Sequence, residues 1–211
     1  METFTHVEQP GLELLNKGYS LKGNWNSKFF KNKNPLVLEL GCGMGEYSVG
    51  LAEKFPQKNF LGIDIKGARM WQGAAHSLDI NLKNIGFLRI RIEWIEKCFA
   101  KNEVDEIWIT FPDPQLKKRR ATKRLTHPQF LSKYKHILKQ DGLIHLKTDS
   151  QFLHGFTLGV IAATADCFLE DSTCDLYSSK VERDHMEIKT HYEQIYLAKG
   201  MPITYLRFGL S

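Results

Sequence analysis

A chain of 211 residues with 42% hydrophobic and 25% charged positions is long enough for one sizeable core and short for two. No window approaches 18 uninterrupted apolar residues, which excludes a helical membrane span, and the polar first ten residues show no secretory leader. Cys42, Cys98, Cys167 and Cys174 form no C-x-x-C pair and no zinc-ligand spacing, so reduced thiols, no metal and a cytoplasmic location are expected.

Apolar runs of strand length alternate with stretches of helical period, the order of a parallel sheet covered on both faces. Residues 1–34 form an arm with no assignable structure, ahead of a single domain over 35–211. Strand 36–40 leads to a helix over 46–55, stopped by Pro56. Strand 59–63 is followed by a helix over 66–82 with Ala68, Trp71, Ala75 and Leu78 on one stripe. Strand 87–92 precedes a short amphipathic helix over 94–100, and strand 106–111 runs into Pro112-Asp113-Pro114. A helix over 127–139 is expected to start at a Thr126 cap with Pro128 in its first turn. Strand 142–147, a helix over 151–165, a partly strand-like 167–177, a polar loop over 178–188, a helix over 190–199 and a strand over 203–208 complete an α/β chain of seven strands.

Two stretches carry chemistry. The first strand ends in E-L-G-C-G-M-G and opens a helix, placing glycines where backbone must turn sharply and approach a ligand. A dinucleotide site needs a third glycine where Glu46 stands, and that acid would repel a pyrophosphate. Glu39 is instead placed for a cationic amino group, and Asp64, at the end of the second strand, for two ribose hydroxyls. Glu39, Gly41, Gly43 and Asp64 together point to S-adenosylmethionine. The second stretch, F-P-D-P-Q-L-K-K-R-R-A-T-K-R, sets Asp113 between two prolines ahead of Lys117, Lys118, Arg119, Arg120, Lys123 and Arg124. The net charge is +5 and would be −1 without those six, so the basic excess sits in one loop and reads as a grip on phosphates.

The chain resembles bacterial tRNA (guanine-N7)-methyltransferases over nearly its whole length. The resemblance is carried by E-L-G-C-G-M-G at 39–45, F-P-D-P-x-x-K-K-R-R at 111–120, H-x-K-T-D at 145–149 and T-x-Y-E at 190–193. It implies a Rossmann-like class I methyltransferase fold, a mostly parallel seven-stranded sheet with helices on both faces, and methylation of a guanine N7 at position 46 in the tRNA variable loop. It also implies cofactor contacts at Glu39, Asp64 and Asp113 and substrate contacts at Lys117, Asp149, Thr190, His191, Tyr192 and Glu193. The adenine contact falls on Arg91, through its backbone, and on Ile92. Gln115 stands where the family has tryptophan, so a stacking surface is expected elsewhere, at Trp108 or Tyr192.

Guanine N7 carries a lone pair and no proton, so Asp113 is expected to stabilise the cationic product base, not to abstract a proton. Lys117 is assigned to the target nucleotide's phosphate, and Lys118, Arg119, Arg120, Lys123 and Arg124 to the flanking backbone. Two other readings stay open: a non-catalytic RNA-binding protein on the same fold, and a small-molecule methyltransferase, which leaves the basic loop without a purpose. Asp149 also reads as a helix N-cap, and Thr190 with Glu193 as a capping box.

Overall fold

In the computed structural model, which describes residues 4–179 and 187–211, the arm is built into the domain. It supplies a two-residue strand β1 (Val7–Glu8), a short helix α1 (Leu12–Lys17) and a π-helical turn over Trp25–Phe30. Trp25 is fully buried, stacks on Phe99 at 5.5 Å between centroids and donates its indole N–H to the Cys98 carbonyl at 3.0 Å. A large ring with a satisfied polar handle anchors an otherwise unpatterned segment.

The alternating elements follow: β2 (Leu36–Leu40), α2 (Glu46–Lys54), β3 (Asn59–Asp64), α3 (Gly67–Asp79), β4 (Ile85–Arg89), α4 (Ile95–Cys98), β5 (Val104–Thr110), α5 (Pro128–Ile137), β6 (Leu138–Thr148), α6 (Gln151–Ala163), β7 (Cys167–Thr173), α7 (His191–Ala198) and β8 (Thr204–Leu210). All five positions of β2 are buried, the pattern of a strand covered on both faces. The sheet order is β1-β4-β3-β2-β5-β6-β8-β7, with β8 antiparallel to both neighbours and every other pair parallel. The eighth strand is β1, which adds to the edge beside β4 with Val7 opposite Phe87. Chain direction along the sheet reverses between β2 and β5, and open α/β sheets bind ligands outside the carboxyl ends of strands at such a switch point.

Several boundaries differ from the sequence pattern for local reasons. β5 stops at Thr110 because Phe111 enters the left-handed region at φ 46°. The cap of α5 is His127, whose Nδ1 accepts from Gln129 N–H at 3.2 Å; Thr126 instead shares a buried hydroxyl contact of 2.8 Å with Thr157. β6 begins at Leu138, ahead of the apolar run, because its polar first residues continue the strand directly out of α5. The expected loop over 178–188 lies largely outside the described residues.

Candidate active site

A cavity of about 380 Å³ opens at the carboxyl ends of β2 and β5, within the range of small-molecule sites. Its floor is the turn after β2. Gly43 sits at φ 55°, and its N–H donates to Asp64 Oδ2 at 3.0 Å, so the tip of β3 fixes the glycine loop. Helix α3 comes close beneath: a Cβ on Gly73 would lie 2.6 Å from the Met44 carbonyl oxygen. Glu39 is 3% exposed. Its Oε1 accepts from Thr110 Oγ1 at 2.6 Å, and its Oε2 accepts from Ser48 N–H at 2.9 Å and from the Ser48 hydroxyl. Burial raises its carboxyl to about 7 against the opposing pull of those donors. Glu39, Gly41, Gly43 and Asp64 thus line one wall.

A second cavity of about 240 Å³ adjoins the first, sharing Gly41, Asp64, Ile65, Ile92, Lys123 and Leu125, with Ile90 and Phe130 behind. Ile92 lies in both. The Arg91 side chain is exposed and reaches Glu93 at 3.5 Å.

Phe111, Pro112, Asp113 and Gln115 form the opposite wall. Asp113 is exposed, and its Oδ1 accepts the Gln115 N–H at 2.9 Å. Phe111 and Gln115, at φ 46° and 47°, bracket this turn in a conformation that costs non-glycine residues of order 1–3 kcal/mol each. Lys117 leads into a 3-10 helix over Lys118–Lys123 on which Lys118, Arg119, Arg120 and Lys123 are exposed. Lys123 reaches back to Glu93 at 3.5 Å and lines both cavities. Arg124 departs from expectation: it is 5% exposed, because its guanidinium packs over two phenylalanine rings and bonds backbone carbonyls. It is withdrawn from the exposed face of the basic run.

The substrate-side acids are sorted in a way the motifs do not reveal. Asp149 does not cap α6; Ser150 does, accepting from Leu153 N–H at 3.2 Å, which leaves the half-buried Asp149 carboxylate at the tip of β6. Partial burial raises its carboxyl above the usual range. Thr190 caps α7 and accepts from Glu193 N–H at 3.3 Å, the capping half of the T-x-x-E pattern. Thr190 and Tyr192 line the cleft, while His191 is exposed and donates its backbone N–H to Glu46 Oε2 at 2.9 Å. The acid that reads in sequence as a repeller of pyrophosphate therefore ties the cofactor turn to α7. Glu193 is fully buried, its Oε1 held by Lys147 Nζ at 2.8 Å and by the Tyr177 hydroxyl. One oxygen of the carboxylate is thus committed to an internal cation, while Oε2 is buried with no hydrogen-bond partner among the described residues. The alternation of β6 gives no sign that Lys147 points inward, where it lies 5.2 Å over the Tyr47 ring. Trp108 is also excluded as a base platform, being fully buried and stacked on His145 at 4.0 Å. Tyr192, 44% exposed, remains.

Among the described residues no cluster of His, Cys, Asp or Glu is arranged to hold a metal, and the four cysteines are free. No helix is long and apolar enough to cross a membrane among the same residues.

Residues 33–206 match the model of a family described as a putative methyltransferase. A tRNA (guanine-N(7)-)-methyltransferase of Christiangramia forsetii is 53% identical over 212 residues, covering all of this chain and 94% of that protein. One of Listeria monocytogenes is 34% identical over 182 residues, 86% of this chain and 83% of that protein. Among solved structures, a 30S ribosomal A1408 methyltransferase from an uncultured bacterium superposes with TM-score 0.65 at 17% identity, covering 92% of this chain and 96% of that one. The 16S rRNA methyltransferase KamB gives 0.64 at 14%, covering 84% and 88%. At such identities the structures show the fold, a class I methyltransferase architecture, and the sequence relatives show the family. The chain belongs to the tRNA (guanine-N(7)-)-methyltransferase family.

Proposed function

We propose that this protein transfers the methyl group of S-adenosylmethionine to N7 of a guanine in tRNA, the guanine at position 46 of the variable loop. The observation that carries the reading is one continuous cleft. A buried acid, a glycine turn and a ribose-height acid form one wall, an exposed carboxylate and Lys123 line the other, and the exposed cations Lys117 to Arg120 follow that carboxylate in the chain.

The residues present fit the cofactor. Glu39 is a buried carboxylate bonded to hydroxyl and amide donors, with its carboxyl raised to about 7, and an ammonium group brought beside it would favour the charged form. Each Asp64 oxygen accepts one backbone N–H, from Gly43 and Lys66, and keeps a further lone pair for a ribose hydroxyl. The apolar side cavity at Ile65, Ile90, Ile92 and Leu125 suits the adenine ring, with Arg91 contributing through its backbone alone. When bound, S-adenosylmethionine supplies a methyl group on a sulfonium centre.

The protein's own contribution is alignment and charge. Holding a nucleophile in line at about 3 to 3.5 Å can account for several kcal/mol of a barrier. Guanine N7 has no proton to lose, and no histidine lines the cleft among the described residues. Asp113 stabilises the positive charge that arrives on the purine. Asp149 accepts from guanine N1–H or the exocyclic amine, with Thr190 and Tyr192 completing the pocket. Lys117 meets the target nucleotide's phosphate, and Lys118, Arg119, Arg120 and Lys123 follow the flanking backbone. Specificity for RNA comes from the shape of the tRNA and an exposed base, because side chains cannot read an A-form major groove. Incubation with unmodified tRNA and methyl-labelled S-adenosylmethionine should label the RNA. A protein that binds the cofactor and labels no tRNA refutes the proposal.

A further inference from the structure

Arg124 ends the cation run in sequence but not in space. Lys123 and Leu125 on either side of it line the cleft, whereas Arg124 turns the other way. Its guanidinium carbon lies 4.8 Å from the ring centre of Phe152 and 4.4 Å from that of Phe156, one turn apart on α6. Its Nε donates to the Pro114 carbonyl at 3.3 Å and its terminal nitrogen to the Gln115 carbonyl at 3.0 Å. Both carbonyls belong to the turn that carries Asp113, and the Gln115 N–H is the donor that orients the Asp113 carboxylate. Left-handed residues at both ends of that turn persist only where the surroundings hold them. At its start the turn is held to β6 by Phe111 N–H on the Lys147 carbonyl at 2.8 Å, and among the described residues only Arg124 bonds the Pro114 and Gln115 carbonyls at its end.

We propose that Arg124 is a positioning residue for methyl transfer: a planar guanidinium, packed over Phe152 and Phe156, ties the strained Phe111 to Gln115 turn to α6 and so fixes where Asp113 stands. The proposal rests on the role given to Asp113 above. It divides the basic run by function. Lys118, Arg119 and Arg120 face outward to phosphates, Lys123 lines the cleft, and Arg124 acts inward on the reaction centre. A lysine has neither the fork that reaches two carbonyls nor the flat face that stacks over two rings, so charge alone does not replace it.

The test compares Arg124→Lys with Arg119→Gln. Arg124→Lys should lower kcat at least tenfold while the KM for tRNA and the salt dependence of tRNA binding stay near the parent values. Arg119→Gln should raise KM and flatten the salt dependence. Amide hydrogen exchange of the free protein supplies a readout independent of turnover: the Gln115 amide should exchange at least tenfold faster in Arg124→Lys. It should also exchange faster, by less, in Phe156→Leu, which removes one ring of the pair without changing any charge. An Arg124→Lys protein with parental kcat overturns the proposal, and so does one that behaves like Arg119→Gln while Gln115 exchange is unchanged. If exchange responds as expected but the parent protein methylates no tRNA, the Arg124 tie stands and the role of Asp113 falls.

Discussion

Two carboxylates are buried beside the same cleft, and they are treated in opposite ways. On the cofactor side Glu39, 3% exposed, meets hydroxyl and amide donors, and its carboxyl is raised to about 7. On the substrate side Glu193, fully buried, has Lys147 at 2.8 Å. A buried charge with only neutral donors is poised to receive a cation from outside, whereas Glu193 has its charge paired inside the fold through Oε1 and keeps Oε2 buried with no hydrogen-bond partner among the described residues. The first meets no cation of the protein among the described residues; the second joins α7 to β6 through one oxygen. Two buried acids can thus meet quite different electrostatic surroundings, set by the identity of their donors.

The largest expected effect falls on the structural pair. Lys147→Met leaves Glu193 buried without its cation and should cost about 3–5 kcal/mol of stability, measured by urea unfolding. Combining it with Glu193→Leu should recover much of that loss, because an apolar pair replaces an ionic one. If the single variant unfolds like the parent, the contrast with Glu39 is lost. Next comes Asp113→Ala, which should lower kcat about 10²–10³-fold in single-turnover assays, the usual scale for removing a group that stabilises developing charge. Cofactor affinity should fall far less.

Glu39→Gln should weaken S-adenosylmethionine by about 1.5–3 kcal/mol, the worth of a hydrogen bond to a charged group, in a calorimetric titration. The sign of the pH dependence follows from the raised carboxyl. A cationic amino group binds the ionised form, so affinity in the parent should fall as pH drops through about 7, and Glu39→Gln should remove that dependence. In the free protein the same shift favours folding below the ordinary value of 4.5 and loses that contribution as pH rises through about 7. The smallest effect belongs to the exposed cations. Replacing Lys118, Arg119 and Arg120 with glutamine should leave cofactor binding intact and reduce the log–log salt slope of tRNA binding by about 0.7–0.9 per contact removed.

The cofactor wall was legible in the sequence because backbone constraints write themselves into residue type. A turn at φ 55° selects Gly43, and an acid at each strand tip is adjacent in the chain to the strand that positions it. The parallel core was legible for a similar reason, since a strand covered on both faces leaves a continuous apolar run such as Leu36–Leu40. Side-chain direction was not. Lys123 and Arg124 are neighbours with the same charge, yet the first is exposed and the second is packed over rings contributed by a helix almost thirty residues later in the chain. Lys147 lies in a strand whose alternation gives no warning of an internal ion pair, and its partner is supplied by α7, 46 positions on. The Trp108 ring looked available only because its stacking partner, His145, is brought alongside by sheet register.

Methyl transfer to one guanine N7 of tRNA is tested most directly by chemical mapping of N7-methylguanosine. Purified protein and S-adenosylmethionine should give a single cleavage signal at position 46 of an unmodified tRNA transcript. The signal should vanish when that guanine is replaced by adenine. Methylation at another position, or on another atom of the base, would contradict the account.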